Sequence, residues 1–145
     1  MTNKKAEPEF AIQTVYLKDS SFEAPHTPEV FTAEWQPDVN IDLNIESKKL
    51  EDDFYEVVLK VIVTAKLPKQ TAFLVEVNQA GIFMIKNFAE EQMKPMLGSF
   101  CPNILFPYAR EAISDLIGRG GFPPLYLSPV NFDALYQQNQ EQKKQ

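Results

Sequence analysis

The chain has 145 residues, a formal net charge of −6 and 44% hydrophobic residues. That length fits one domain with a core of its own, and the apolar content excludes a disordered chain. The acidic balance excludes a nucleic-acid backbone as the main partner, because phosphate binding needs clustered Lys and Arg.

One cysteine, Cys101, and one histidine, His26, allow neither an intrachain disulfide nor a Cys/His zinc site within one chain. A lone thiol suits a reducing compartment. The polar start MTNKKAEPE lacks the apolar core of a signal peptide. No stretch approaches the ~20 apolar residues of a membrane helix. The expectation is a cytoplasmic chain.

Residues 1–9 read as a disordered lead, residues 10–136 as a single domain and residues 137–145 as a polar flexible tail. Phe10–Leu17 is rich in β-formers and predicts a first strand. Asp19 to Pro37 contains Pro25, Pro28 and Pro37 together with Phe22, Phe31 and Trp35. The prolines exclude a long helix or a central strand, so this stretch predicts a long crossover loop loaded with aromatics. Val39–Glu46 alternates strictly and predicts a half-buried strand. Phe54–Lys66 repeats the pattern over a longer run. Thr71–Gln79 returns after a turn at Leu67–Gln70. Phe73, Val75 and Val77 share one of its faces, and Ala72, Leu74, Glu76 and Asn78 share the other.

The period then changes. Phe88–Leu97 predicts a helix weakened by Pro95, and a turn at Gly98 and Cys101–Asn103 ends it. Pro107 to Ile117 predicts a stronger helix, with Ala109, Ala112, Ile113 and Leu116 on one stripe and Gly118, Gly120 and Gly121 as its stop. Phe122–Leu127 reads as an extended linker. A last helix is expected to start near Ser128-Pro129 or Asn131 and to dissolve into the tail. Together these elements predict an α+β fold: a four-stranded antiparallel sheet with one solvated face.

Signs of catalysis are few. None of the five glycines lies in a phosphate-binding loop, and no dinucleotide fingerprint occurs. His26 reads as an exposed loop residue. Glu51, Asp52 and Asp53 read as a solvated acidic turn, since neighbours on an extended chain point in alternate directions. Cys101, in an apolar run, reads as a buried thiol. A chemical role for Asp52, Asp53 or Cys101 would need converging polar groups in a pocket. Between Asp19 and Glu56 stand eleven Asp and Glu against only Lys48 and Lys49. Further along the chain, the alternation leaves Leu74 on the polar face with Glu76 and Asn78. An exposed leucine is common on soluble surfaces, and beside acids it also suits the apolar centre of a docking site. On the residues alone the first reading stands slightly ahead. The many aromatics outside regular structure suit core packing one by one, and together they suit a promiscuous peptide groove.

Six blocks in order, Phe10 to Pro25 (with SFEAP), VFTAEWQP, DDFYEVVLKVIVTA, TAFLVEVNQAGIF, CPNILFPYARE and GFPPLYLSPVNFDALY, resemble the SecB family of protein-export chaperones over about residues 10–136. The resemblance implies a four-stranded antiparallel sheet with helices packed on one face, assembled as a dimer of dimers. It also implies a non-enzymatic, ATP-independent chaperone that binds unfolded preproteins and delivers them to the motor SecA. The family's SecA-docking surface maps onto Asp19, Glu23, Leu74 and Glu76. Its peptide-binding groove maps by segment onto Phe31, Trp35, Met84, Phe106 and Tyr108. No cofactor is implied; the zinc of the docking complex belongs to the C-terminal segment of SecA. The tail is short and ends Gln-Lys-Lys-Gln, whereas the family's tails vary and can be acidic, and no SecA contact is carried over to it.

Overall fold

The computed structural model describes residues 6–143; residues 1–5 of the expected lead and 144–145 of the expected tail lie outside the described residues. Four antiparallel strands, β1 (Glu9–Glu23), β2 (Asp38–Lys49), β3 (Phe54–Leu67) and β4 (Gln70–Lys86), form one sheet in the order β1-β4-β3-β2. β3 and β4 are a hairpin and occupy the centre. The Pro-rich stretch 24–37 carries the chain from one sheet edge to the other, through one short 3-10 turn at Glu29–Thr32.

Alternation sets the two faces. Val57, Leu59, Val61, Val63 and Ala65 on β3 stand opposite Gly81, Gln79, Val77, Val75 and Phe73 on β4, and all the apolar members of this set are buried. On the other face Thr64, Ile62, Lys60, Val58 and Glu56 stand opposite Leu74, Glu76, Asn78, Ala80 and Ile82. Helices cover only the first face. α1 (Glu90–Pro95) leads through a widened π turn, Met96–Phe100, into α2 (Cys101–Arg119). α2 lies over β4 and β3 and buries Cys101, Leu105, Ala109, Ile113 and Ile117 against them. These positions recur every fourth residue, which is the stripe a helix presents to a sheet.

Several expected boundaries move. β1 was expected to end at Leu17 and runs to Glu23, and β4 was expected to end at Gln79 and runs to Lys86. The two long strands pair with each other from Glu9 opposite Lys86 to Glu23 opposite Leu74. Two register slips, between Ile12 and Thr14 and between Leu17 and Asp19, break the simple alternation of β1. The crossover therefore starts after Glu23, not at Asp19. The expected turn at Gly98 and Cys101–Asn103 is helical instead. Pro102 sits in the first turn of α2, where its missing N–H matters little, and the π turn before it accommodates the change in pitch.

α3 (Phe132–Lys143) starts after Asn131, whose Oδ1 accepts the Ala134 N–H at 3.0 Å. This is one of the two expected caps. The helix continues past Tyr136, so residues 137–143 are helical where a flexible tail was expected. α3 packs on the π turn: Ser99 donates to Asp133, and Gly98 lies so close to Tyr136 that a Cβ there would sit 2.7 Å from the ring.

Candidate functional site

Two surfaces are built by this arrangement, one on each face of the sheet. On the helical face, at the end where the crossover arrives, five aromatic rings meet. Phe122, just past α2, lies 5.0 Å from Phe73 on β4, 5.1 Å from Phe31, 5.6 Å from Trp35 and 6.2 Å from Phe22 on β1. These separations are those of packed aromatic pairs. The Gly120-Gly121 stop of α2 makes room for the rings. A side chain at Gly120 would run into Phe22, and Gly121 has a φ of +86°, which other residues rarely adopt, with the Phe31 ring against it. Phe73 and Phe122 are buried; Trp35 is half-buried, and Phe31 is 51% exposed. The cluster thus has a fixed floor and an open rim. Beside it, a depression of about 430 Å³ is lined by Ala33, Glu34, Gln36 and the β3–β4 turn Leu67–Gln70.

The structure brings together only part of the expected groove set. Phe31 and Trp35 share the cluster. Tyr108 is exposed on α2. Phe106 is buried, packed edge-on to Phe132 of α3 at 5.8 Å with the Arg110 guanidinium over its ring. Met84 stands opposite Phe54 and Ala11, on the outer face near the far end of β4. A strand's alternation separates it from the aromatic cluster.

On the outer face the expected docking set converges. Glu23 stands opposite Leu74, Ser21 opposite Glu76, and Asp19 opposite Asn78, across adjacent strands β1 and β4. Side chains so paired have Cβ atoms about 4.5–5.5 Å apart. Leu74 is 37% exposed. Glu76 lies 3.8 Å from the Lys60 ammonium and accepts from the Asn78 amide at 3.4 Å. Ile62 and Asp42 continue the Ser21–Glu76 row across β3 and β2. The surface therefore has an apolar centre and an acidic rim, the arrangement of a protein-docking patch.

The residue that sequence reasoning missed is Glu56. Alternation places it on the outer face, yet it is only 8% exposed. The Tyr16 hydroxyl donates to it, and the Lys18 ammonium donates at 2.9 and 3.0 Å. Burial alone would raise its carboxyl pKa, but the Tyr16 and Lys18 hydrogen bonds and the Lys18 and Lys48 charges hold it below the usual value. Burial first, then the bond to Glu56 and its charge, push Tyr16 up to about 12.

Catalytic geometry is weak. Burial pushes the Cys101 thiol up to about 12, so it stays protonated at neutral pH. Among the described residues no three His, Cys, Asp or Glu side chains are grouped to hold a metal ion, and no helix is long and apolar enough to cross a membrane.

The family model for preprotein translocase subunit SecB matches residues 3–143. The chain belongs to the SecB family. It is 54% identical over 143 residues to the protein-export protein SecB of Methylococcus capsulatus, covering 99% of this chain and 92% of that protein. It is 59% identical over 133 residues to the protein of the same name from Pseudomonas paraeruginosa, covering 91% and 82%. Among solved structures, a Mycobacterium tuberculosis SecB-like chaperone in complex with a ChAD peptide from an antitoxin has the same fold. Its TM-score is 0.70 at 17% identity, covering 83% of this chain and 90% of that one. The protein is thus a SecB-family protein-export chaperone with the α+β architecture expected from its sequence.

Proposed function

We propose that this protein holds unfolded preproteins in the cytoplasm without nucleotide or cofactor and delivers them to SecA. The observation that carries this reading is the match to SecB along nearly the whole chain. The two faces of the sheet divide the work. Clients engage the aromatic rim at Phe31 and Trp35, with Tyr108 as a further exposed ring. SecA docks on the outer face at Asp19, Glu23, Leu74 and Glu76, where a basic, zinc-bearing segment would meet complementary charge. Residues 10–136 act as one chaperone domain without catalysis of its own.

The functional unit is a homotetramer, a dimer of dimers. Apolar side chains left open at both edges of the sheet, Ile12 and Leu17 on β1 and Ile41 on β2, favour association. The direct test dilutes several unrelated denatured preproteins into buffer with and without this protein, in the absence of ATP. Suppressed aggregation and slowed refolding for most of them is the expected outcome. Selectivity for one folded partner would point to an adaptor instead.

A further inference from the structure

Lys18 is the residue at which β1 slips against β4. Leu17 faces Gln79 and Asp19 faces Asn78, so Lys18 has no partner in the ladder. The slip decides which side chains reach the outer face. In an unbroken ladder Lys18 would face Asn78 and Asp19 would face Val77, turning Asp19 toward the helical side. With the slip at Lys18, Asp19, Ser21 and Glu23 all stand with Asn78, Glu76 and Leu74.

Two anchors fix this arrangement. Phe22 points inward, stacked on Phe73 at 5.9 Å and seated over Gly120, so the face of its neighbour Glu23 is held by core packing. Nothing comparable holds Asp19 from the inside, since its neighbour Ser20 has no apolar side chain to bury. Between Leu17 and Phe22 the extra residue could be absorbed at any of several positions. Among the described residues, the long-range side-chain hydrogen bonds from this stretch run from the Lys18 ammonium to both oxygens of Glu56; just before it, the Tyr16 hydroxyl reaches the same carboxylate and the Tyr16 carbonyl accepts from the Gln79 amide at 3.0 Å.

We propose that Glu56 is a positioning residue of the docking face: it pins the extra residue of β1 at Lys18 and thereby keeps Asp19 beside Glu76 and Leu74, given the docking role proposed above for that face. Glu56 touches no part of the docking patch itself. Lys48, its cross-strand neighbour on β2, faces the same carboxylate and does not reach β1.

The test replaces Glu56 by leucine; the Lys18 side chain is 46% exposed and can turn its ammonium to water, so the change leaves no buried charge unpaired. Two readouts are taken on the full chain. The first is the cross-strand backbone NOE between Asp19 and Asn78, which needs no partner. The second is the dissociation constant for SecA. In Glu56→Leu the NOE should be lost and SecA binding should weaken about fivefold, as for loss of one rim charge. Asp19→Asn should add nothing further in that background, whereas Glu23→Gln should keep its full effect. Deleting Lys18 from Glu56→Leu removes the residue that needs pinning, and should restore both the NOE and the affinity. Glu56→Gln, which loses the same charge but keeps an acceptor for Lys18, should retain the NOE. A Glu56→Leu protein that keeps the Asp19–Asn78 NOE, or in which Asp19→Asn remains fully additive, overturns the proposal. Loss of the NOE with unchanged SecA binding would uphold the pin and refute the docking assignment. Should Glu56→Leu not fold, Lys18→Met breaks the same contact from the exposed side and must give the same loss.

Discussion

Trp35 and Phe106 are both large aromatics in segments matched to the groove, and they sit in opposite settings. Trp35 is half-buried on the rim of the cluster, whereas Phe106 is 5% exposed beneath α3. Trp35→Ala is expected to weaken client holding several-fold while lowering stability by no more than about 2 kcal/mol. Phe106→Ala should instead lower stability by about 3–5 kcal/mol, the range for emptying a buried aromatic site. Aggregation assays paired with urea unfolding of each variant separate the two effects. Leu74 was legible on the outer face because strict alternation needs only the strand's direction. Burial was not legible: nothing in the pattern around Phe106 or Glu56 says which side chain a later helix or a neighbouring strand will cover.

The Tyr16–Glu56 pair makes a second residue-scale prediction. The phenol is raised in the folded state, to about 12 from an ordinary value of about 10. A raised value means that its contribution is fully present below about pH 10 and is lost as pH rises toward 12. Glu56 is shifted the other way, so its contribution is present above the ordinary carboxylate range and disappears as pH falls through its lowered value. Tyr16→Phe should therefore lower stability across the neutral region, where that contribution is fully present, and flatten the alkaline limb of a stability-against-pH curve, so that the two proteins converge as pH approaches 12.

At the scale of elements, α3 is held chiefly through its first turns, on the π turn and the Phe106 ring: Ser99 with Asp133, Gly98 with Tyr136, and Phe132 on Phe106. A Gly98→Val substitution would force the Tyr136 ring away. It should release α3, seen as rapid amide exchange over residues 132–143 with β3 and β4 still protected. The elements also mark where sequence reasoning runs out. The number of strands, their antiparallel pairing and the α2 stripe followed from periodicity. The length of β1 did not, because its two slips erase the period-two signal that ends a strand on paper. The join of α1 to α2 did not either, since Gly98 and Pro102 read as breakers until a π turn places them where the ladder already loosens. The aromatic cluster draws on β1, the crossover, β4 and the end of α2, and no local window contains all four.

For the whole molecule, one sheet separates the aromatic cluster, proposed to meet clients, from the acidic outer patch, proposed to dock SecA, and the apolar edge residues Ile12, Leu17 and Ile41 stay open in the single chain. Sedimentation equilibrium at micromolar concentration is expected to give about four times 16.6 kDa. A persistent monomer would remove the tetramer and with it any groove that spans subunits.

Glu76→Lys tests most directly whether holding a client and docking the motor use opposite faces, with SecA affinity and suppression of preprotein aggregation measured on one sample of checked oligomeric state. The charge reversal removes a rim carboxylate beside Leu74 and places two ammonium groups, the new one and Lys60, next to each other. SecA binding is predicted to fall by roughly tenfold or more, since like charges facing a basic partner oppose association. Aggregation should be suppressed as well as by the unaltered protein. Unchanged SecA affinity, or a loss of client holding equal to the loss of SecA binding, would contradict the separation of the two faces.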